Sequence, residues 1–370
     1  MELNIYASFI ISGKVGGAEN MALNLVDGLI MNGCKINLFL NKKRYSSDTL
    51  SSFSKRNLNI YYKRDKIKLN RFFYEQFISL FGASNSGYRL YLNYHTPLQF
   101  KFQKNKVLTV IHDLQYLHYP SNFSLLKRKW LWYSHRKTLK RADSIIAISN
   151  TVRNDILKSY GQQFANKVHS VHNPISWDRF NDSKNYKLNL DFDFILTVSA
   201  QYKHKNITTL IEAFHLVKSV HPKLKLVIIG QDYKSLRGVV RDSKDRYENK
   251  DDDIIFTGYI SDKELGAYYY NAKIFAFPSL FEGFGMPVIE AQGFGLPIVV
   301  SDIEVMREIT YGNAKLVKDY TSAKSWSQSL HEVLNDIENY RLSENEIKKL
   351  IKAYSPKNIA SKYIDVMKGK

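Results

Sequence analysis

The sequence predicts an α/β protein of two domains, each built on a parallel sheet with crossover helices. Three observations carry this. The chain is 370 residues long, and at roughly 150 residues per domain that length accommodates two. Short apolar runs of strand length alternate with amphipathic stretches of helix length, the rhythm of βαβ units. That rhythm stops once, over residues 176–189, and then restarts. Hydrophobic residues make up 44 % of the chain, enough for two cores.

The elements follow in order. An apolar strand pattern over 3–11 runs into a glycine-rich turn at 13–17. The helical pattern over 18–31 places Ala22, Leu25, Val26 and Leu29 on one face. Gly33 ends that helix, and residues 35–40 read as the next strand. Apolar runs return at 107–111 and 144–149, each followed by polar turn residues. The pattern breaks at Asn173-Pro174. A second series opens with a strand at 194–198, a helix over 206–220 and a strand at 225–229 that ends at Gly230. Strands at 254–257, 274–277 and 297–300 complete it. The final stretch, 355–370, patterns as an amphipathic helix with Ile359, Tyr363, Val366 and Met367 on one side. It either packs as a strut or crosses back to the first domain. The expected organisation is a Rossmann-like domain over 1–175, a linker over 176–190, a second Rossmann-like domain over 191–354 and the terminal helix. Ligands of such sheets bind outside the carboxyl ends of the strands, in the cleft expected between the domains.

The net charge of +19 is unevenly spread: residues 1–180 carry 27 Lys+Arg against 10 Asp+Glu, and the remainder 27 against 25. The first half therefore suits an anionic partner, whether phospholipid, a lipid-pyrophosphate acceptor or nucleic acid. Two segments, 63–74 and 125–133, mix basic and aromatic residues as a membrane interface requires, or as helices with aromatics facing the core would. No nucleic-acid recognition motif accompanies the charge, so no nucleic-acid partner is expected. The one cysteine, Cys34, fits a reducing compartment. No leader pattern and no run of about 18 apolar residues is present, so a cytoplasmic protein, peripheral to the inner face of the cell membrane, is expected.

The most specific chemistry lies in residues 278–291. A strand ends in a turn, glycines let the backbone approach a ligand, and a helix begins near Met286-Pro287. Proline in the first turn and a bare helix N-terminus make a seat for phosphate. Glu282 on the loop and Glu290 one turn into the helix do not neutralise phosphate, so their expected partners are hydroxyl groups of a sugar and a ribose. Acidic residues near a helix start also favour the dipole for structural reasons alone.

This stretch resembles the E-x7-E signature of the family 4 retaining glycosyltransferases, which have the GT-B fold. Further landmarks follow in the family's order: Gly16-Gly17-Ala18-Glu19, Ile111-His112-Asp113, residues 142–149, Val171-His172-Asn173-Pro174-Ile175 and Lys205-Asn206. The resemblance implies transfer of a sugar from a nucleotide-diphosphate sugar to a saccharide or lipid-linked acceptor. It implies a donor site at Gly16, Gly17, Lys205, Gly230, Tyr259, Glu282, Gly283, Phe284, Gly285, Met286 and Glu290. His112, Glu282 and Lys205 take the catalytic roles, and His112 with Asp113 lies on the acceptor side. In this reading Lys205 contacts the diphosphate, Glu282 the transferring sugar, Glu290 the ribose and His112 the sugar.

The arginine that usually precedes the family's lysine is absent; residues 199–202 stand there, and Lys203 is the candidate substitute. No metal-ligand spacing and no D-x-D motif is present, so no metal or other cofactor is expected. Residues 112–120 are similar to bacterial surface-polysaccharide mannosyl- and rhamnosyltransferases, which makes GDP-mannose the first expected donor and a UDP-sugar the second. A GT-B sugar-nucleotide epimerase, a phosphorylase and, from charge alone, a nucleic-acid-binding protein are the alternatives.

Overall fold

The structure is a computed structural model that describes residues 1–7, 17–40, 58–62, 87–92, 106–188, 190–199, 202–230 and 252–369. Contacts divide the chain into two compact units: Met1–Ile175 with Ala353–Lys370, and Ser176–Lys352.

The first unit holds a seven-stranded sheet of order β3-β2-β1-β4-β5-β6-β7. The strands are β1 (Glu2–Tyr6), β2 (Lys35–Leu40), β3 (Leu58–Tyr62), β4 (Tyr88–Tyr91), β5 (Lys106–Ile111), β6 (Ser144–Ala147) and β7 (Val168–Ser170). Every pairing is parallel, from Glu2↔Lys35 in β1–β2 to Ile145↔Val168 in β6–β7. Apolar residues run without alternation through β5 and β6 because both sheet faces are covered, as all-parallel sheets require. Among the helices are α1 (Gly17–Met31), α2 (Gln115–His118), α3 (Leu125–Arg141) and α4 (Asn150–Tyr160). Ser149 caps α4 by accepting from Val152 N at 3.0 Å.

The second unit repeats the plan with six parallel strands of order β10-β9-β8-β11-β12-β13. They are β8 (Phe194–Val198), β9 (Lys225–Ile229), β10 (Ile254–Gly258), β11 (Ile274–Phe277), β12 (Ile298–Ser301) and β13 (Lys315–Val317). The helices include α5 (Ile207–Lys218), α6 (Asp262–Asn271), α7 (Met286–Gly293), α8 (Glu304–Thr310) and α9 (Ala323–Asn335). Leu210, Phe214 and Val217 of α5 meet Trp326, Leu330 and Val333 of α9 in the core on one side of this sheet. In both sheets the strand order reverses once, between β1 and β4 and between β8 and β11. That reversal is the topological switch point at which open α/β sheets collect ligands.

Two segments refine the expected layout. Residues 176–190, which lack periodicity, fold as part of the second unit through 3-10 turns at Asp178–Phe180 and Ser183–Asn185. Phe180 is their anchor: its ring meets Tyr269 and Phe294 edge-on, with centroids 6.0 and 5.2 Å away. The terminal helix, here α11 (Pro356–Lys368) after α10 (Glu344–Tyr354), packs on α1 and so belongs to the first unit. Ser355 caps it, Ile175 N donates to Tyr354 O at 2.9 Å, and the His172 and Tyr354 rings stack 5.5 Å apart.

Candidate active site

In the second unit the two strands flanking the switch point, β8 and β11, each deliver one predicted residue. Lys205 closes the 3-10 turn Lys203–Lys205 after β8, held by Lys205 N donating to Tyr202 O at 2.8 Å. Asn206 follows in the left-handed region at φ 55°, a conformation asparagine tolerates, and caps the turn into α5. Its Nδ2 donates to Tyr320 O at 2.9 Å and its Oδ1 accepts from Thr209 Oγ1 at 2.7 Å. Glu282 lies on the loop after β11. Lys205 Nζ and Glu282 Oε1 are 2.5 Å apart, and Leu280 N donates to His204 O at 2.8 Å. An ion pair and a backbone bond therefore tie the two loops together. The ammonium has three donors, of which this carboxylate oxygen takes one.

Between the loop and α7 stands Gly285, at φ 116°. A side chain there would be strained, and its Cβ would lie 2.9 Å from Ile309 Cδ1 and 3.0 Å from Met306 Cε of α8. The glycine starts α7 abruptly, with Pro287 in its first turn. Phe284 and Met286 are buried beside it while Gly283 stays partly open. The backbone amides at such a helix start are donors for an anion.

Glu290 is 3 % exposed. Its Oε1 accepts from Arg179 Nη2 at 2.6 Å and its Oε2 from Tyr269 Oη at 3.1 Å. Burial would by itself lower the Arg179 pKa, and the carboxylates of Glu290 and Asp262 more than reverse that, leaving it raised. The Tyr269 hydroxyl is pushed well above its usual range by burial and by the Glu290 charge, so it stays a neutral donor. Gly230 N donates to Gly258 O at 3.0 Å, joining the ends of β9 and β10, and Tyr259 next to them is exposed.

In the first unit, His112 follows β5 and is buried. Its Nε2 lies 3.2 Å from Leu92 O just past β4, so the ring carries its proton there. Burial lowers its pKa to about 4, against which the Leu92 bond works only partly, so it is a neutral imidazole at physiological pH. Asp113 Oδ1 accepts from Gln115 N at 2.9 Å, which starts α2. Gly17 is the first residue of α1. Gly16 lies outside the described residues.

Three residues beside the predicted ones carry no sequence motif. Arg179 and Tyr269 hold Glu290. His204, buried and stacked on Tyr202 at 5.6 Å, sits between Lys203 and Lys205; burial, with help from Lys205, lowers its pKa to about 4. It therefore adds no charge to this cluster near neutral pH. Lys203 is exposed, and of the stretch that lacks the arginine, Ser199 is buried while residues 200 and 201 lie outside the described residues.

Of the two basic-aromatic segments, 63–74 lies outside the described residues. The other forms the start of α3, and here Trp132 and Tyr133 turn outward, 41 % and 43 % exposed, beside Leu126 at 83 %, while Trp130 is half-buried. Arg136 lies over the Trp132 ring at 5.2 Å and Lys137 over Tyr133 at 5.3 Å. The core side of α3 is made by Ser134, His135, Thr138 and Leu139. Among the described residues no helix is long and apolar enough to cross a membrane.

Family models match nearly the whole chain. Residues 15–179 match Glycosyltransferase Family 4, and residues 178–358 match Glycosyl transferases group 1. The chain is a family 4 glycosyltransferase. Its fold is GT-B, with two Rossmann-like units of parallel strands and helices. An O-antigen chain mannosyltransferase of Salmonella typhimurium is 29 % identical over 231 residues, covering 62 % of this chain and 61 % of that protein. The chain thus spans under two thirds of that relative's length. In fold it is similar to a sucrose-phosphate synthase from Thermosynechococcus elongatus, with a TM-score of 0.75 and 18 % identity over 100 % of this chain and 98 % of that one. It is also similar to Anabaena HepE in complex with UDP, with a TM-score of 0.73 and 13 % identity over the whole of both chains.

Proposed function

We propose that this chain is a retaining, metal-independent hexosyltransferase of surface-polysaccharide or lipopolysaccharide biosynthesis. It moves a hexosyl unit from a nucleotide-diphosphate sugar, GDP-mannose first and a UDP-sugar second, to a saccharide or lipid-linked saccharide. The observation that carries the reading is the Lys205–Glu282 pair at 2.5 Å, on the segments that follow the two strands flanking the switch point of the second unit. A cation for the leaving diphosphate and a carboxylate for sugar hydroxyls stand side by side there, next to the start of α7. The mannosyltransferase relative supports the choice of mannose, and the UDP complex of a fold neighbour supports the second choice.

The chemistry asks little of covalent catalysis. The bond from the anomeric carbon to the diphosphate oxygen breaks while the acceptor oxygen bonds to the same face of that carbon. The acceptor's proton passes to the departing diphosphate. Lys205 and the amides at the start of α7 stabilise the charge that develops on that diphosphate, which makes positioning and electrostatics the main terms. Glu282 holds the sugar, Glu290 the ribose, and the neutral His112 exchanges hydrogen bonds with the sugar without bringing a second charge.

The test is calorimetry with GDP, UDP, ADP and dTDP, each in magnesium and in EDTA, followed by NMR of the anomeric configuration of product made with the matching sugar nucleotide. One diphosphate should bind equally well in both buffers, GDP before UDP, and the product should keep the donor's configuration. Magnesium-dependent binding or an inverted product would sink the reading.

The basic first unit is proposed to rest on acidic lipid at the cytoplasmic face of the membrane, which brings a lipid-linked acceptor within reach. The exposed Leu125, Leu126, Trp132 and Tyr133 among the cations of α3 support this. The protein should pellet with vesicles containing phosphatidylglycerol at low salt and leave them at high salt. Equal partitioning onto neutral vesicles would count against a lipid-charge role.

A further inference from the structure

Arg179 is not part of the E-x7-E stretch, and it lies in a segment that reads as a linker. Its guanidinium nevertheless spans two carboxylates: Nη2 reaches Glu290 Oε1 at 2.6 Å and Nη1 reaches Asp262 Oδ1 at 2.9 Å. The same group lies 4.3 Å from the centroid of the Phe180 ring. Phe180 is in turn gripped by Tyr269 and Phe294, whose own rings stack at 5.1 Å. Glu290 thus has one oxygen on Arg179 and the other on Tyr269, and neither partner is free to move.

We propose that Arg179 is a positioning residue for the donor nucleotide. It fixes the Glu290 carboxylate so that the lone pairs left on its two oxygens accept from the ribose hydroxyls. The argument rests on the assignment of Glu290 to the ribose made above. A carboxylate oxygen offers two acceptor sites, and one protein donor on each leaves one apiece for a diol. A flexible glutamate would lose rotamer freedom on binding a ribose, whereas one already held at both oxygens has lost it in the folded state. The planar fork is what allows one side chain to bridge Glu290 to Asp262 at the start of α6; a lysine in its place is a point charge and cannot do both.

The role predicts a property that a structural clasp lacks, because it should alter discrimination between ribose and deoxyribose. Binding of GDP and 2′-deoxy-GDP, and of UDP and 2′-deoxy-UDP, would be measured by calorimetry on wild type, Arg179→Gln and Arg179→Lys, with melting curves to establish folding. Wild type should favour the ribonucleotide by about tenfold, the value of one hydrogen bond to a charged group. Arg179→Gln should bring that ratio close to one. Arg179→Lys keeps the charge, so it protects the fold if the glutamine variant is lost, and its ratio should fall between the two. A ratio unchanged from wild type in a variant that binds both nucleotides more weakly would overturn the positioning role and leave the ribose assignment standing. Equal binding of ribo- and deoxynucleotide by wild type would overturn the assignment of Glu290, and the positioning role with it.

Discussion

Replacing Glu282 by alanine is expected to lower turnover by about 10²–10³-fold, the cost of removing one preorganised polar group that acts on the transition state. Glu282 is on a loop and partly open, and its protein bond runs to the side chain of Lys205 rather than to the core. Losing one partner of a pair this partly buried costs on the order of 1–2 kcal/mol, between the limits for exposed and buried pairs. The melting temperature should therefore drop by only a few degrees.

The informative quantity is the affinity for the free nucleoside diphosphate. Without Glu282 the Lys205 ammonium is no longer neutralised, so the diphosphate should bind as tightly as before or more tightly while turnover collapses. That divergence separates a carboxylate that handles the sugar from one that merely positions the lysine. Turnover and diphosphate affinity falling together would assign Glu282 to the second role, and wild-type turnover would remove it from the site. Glu282→Gln keeps the side chain's acceptor oxygen and loses its charge, so its turnover should lie between wild type and alanine.

Much of this arrangement could be read from the chain alone because it is local. Apolar runs mark β5, β6, β8 and β11, and loops after strands carry His112 in the first unit and Lys205 and Glu282 in the second. What escaped is what depends on contacts distant in sequence. Arg179 meets Glu290 across 111 positions and Tyr269 meets it across 21, and nothing in a polar, aperiodic segment marks one arginine as a partner. The strands β3, β4, β7 and β13 also escaped, since Asn59, Arg89, His169 and Lys315 break runs only three to five residues long, leaving no apolar stretch and no period to read.

The asparagine ladder of the first sheet, with Asn4 and Asn37 buried and Asn59 exposed, is a further case. Asn59 Nδ2 donates to Asn37 Oδ1 at 3.0 Å and Asn37 Nδ2 to Asn4 Oδ1 at 3.1 Å, a ladder visible only once β1, β2 and β3 are in register. Conversely, the exposed aromatics of α3 were legible as residues and ambiguous as a surface. Composition left them facing either the core or the outside, and only packing decided it.

Gly28→Ala should be the most damaging small change in the first unit, although it adds a single methyl to a helix. In isolation the substitution favours helix by about 1 kcal/mol. Here it fails sterically. An ideal Cβ on Gly28 would stand 2.0 Å from Pro356 O, 2.4 Å from Pro356 C and 2.9 Å from Ala360 Cβ, so α1 and α11 would have to move apart. Two of those three atoms are backbone, at the start of a capped helix, and cannot turn aside as a side chain would. Separation would also break the bond that Asn32 Nδ2 donates to Lys357 O at 2.9 Å. It would uncover Ile359, Tyr363 and Met367 as well, each buried. Overpacking of this kind typically costs 1–3 kcal/mol and sometimes more. With lost apolar burial added, the net of about 3 kcal/mol exceeds the propensity gain and should lower the melting temperature by about 6–12 °C. Ala360→Gly relieves only the longest of the three contacts, so the double variant should recover little of that loss. A Gly28→Ala protein that melts with wild type would mean that α11 does not lie against α1 in solution.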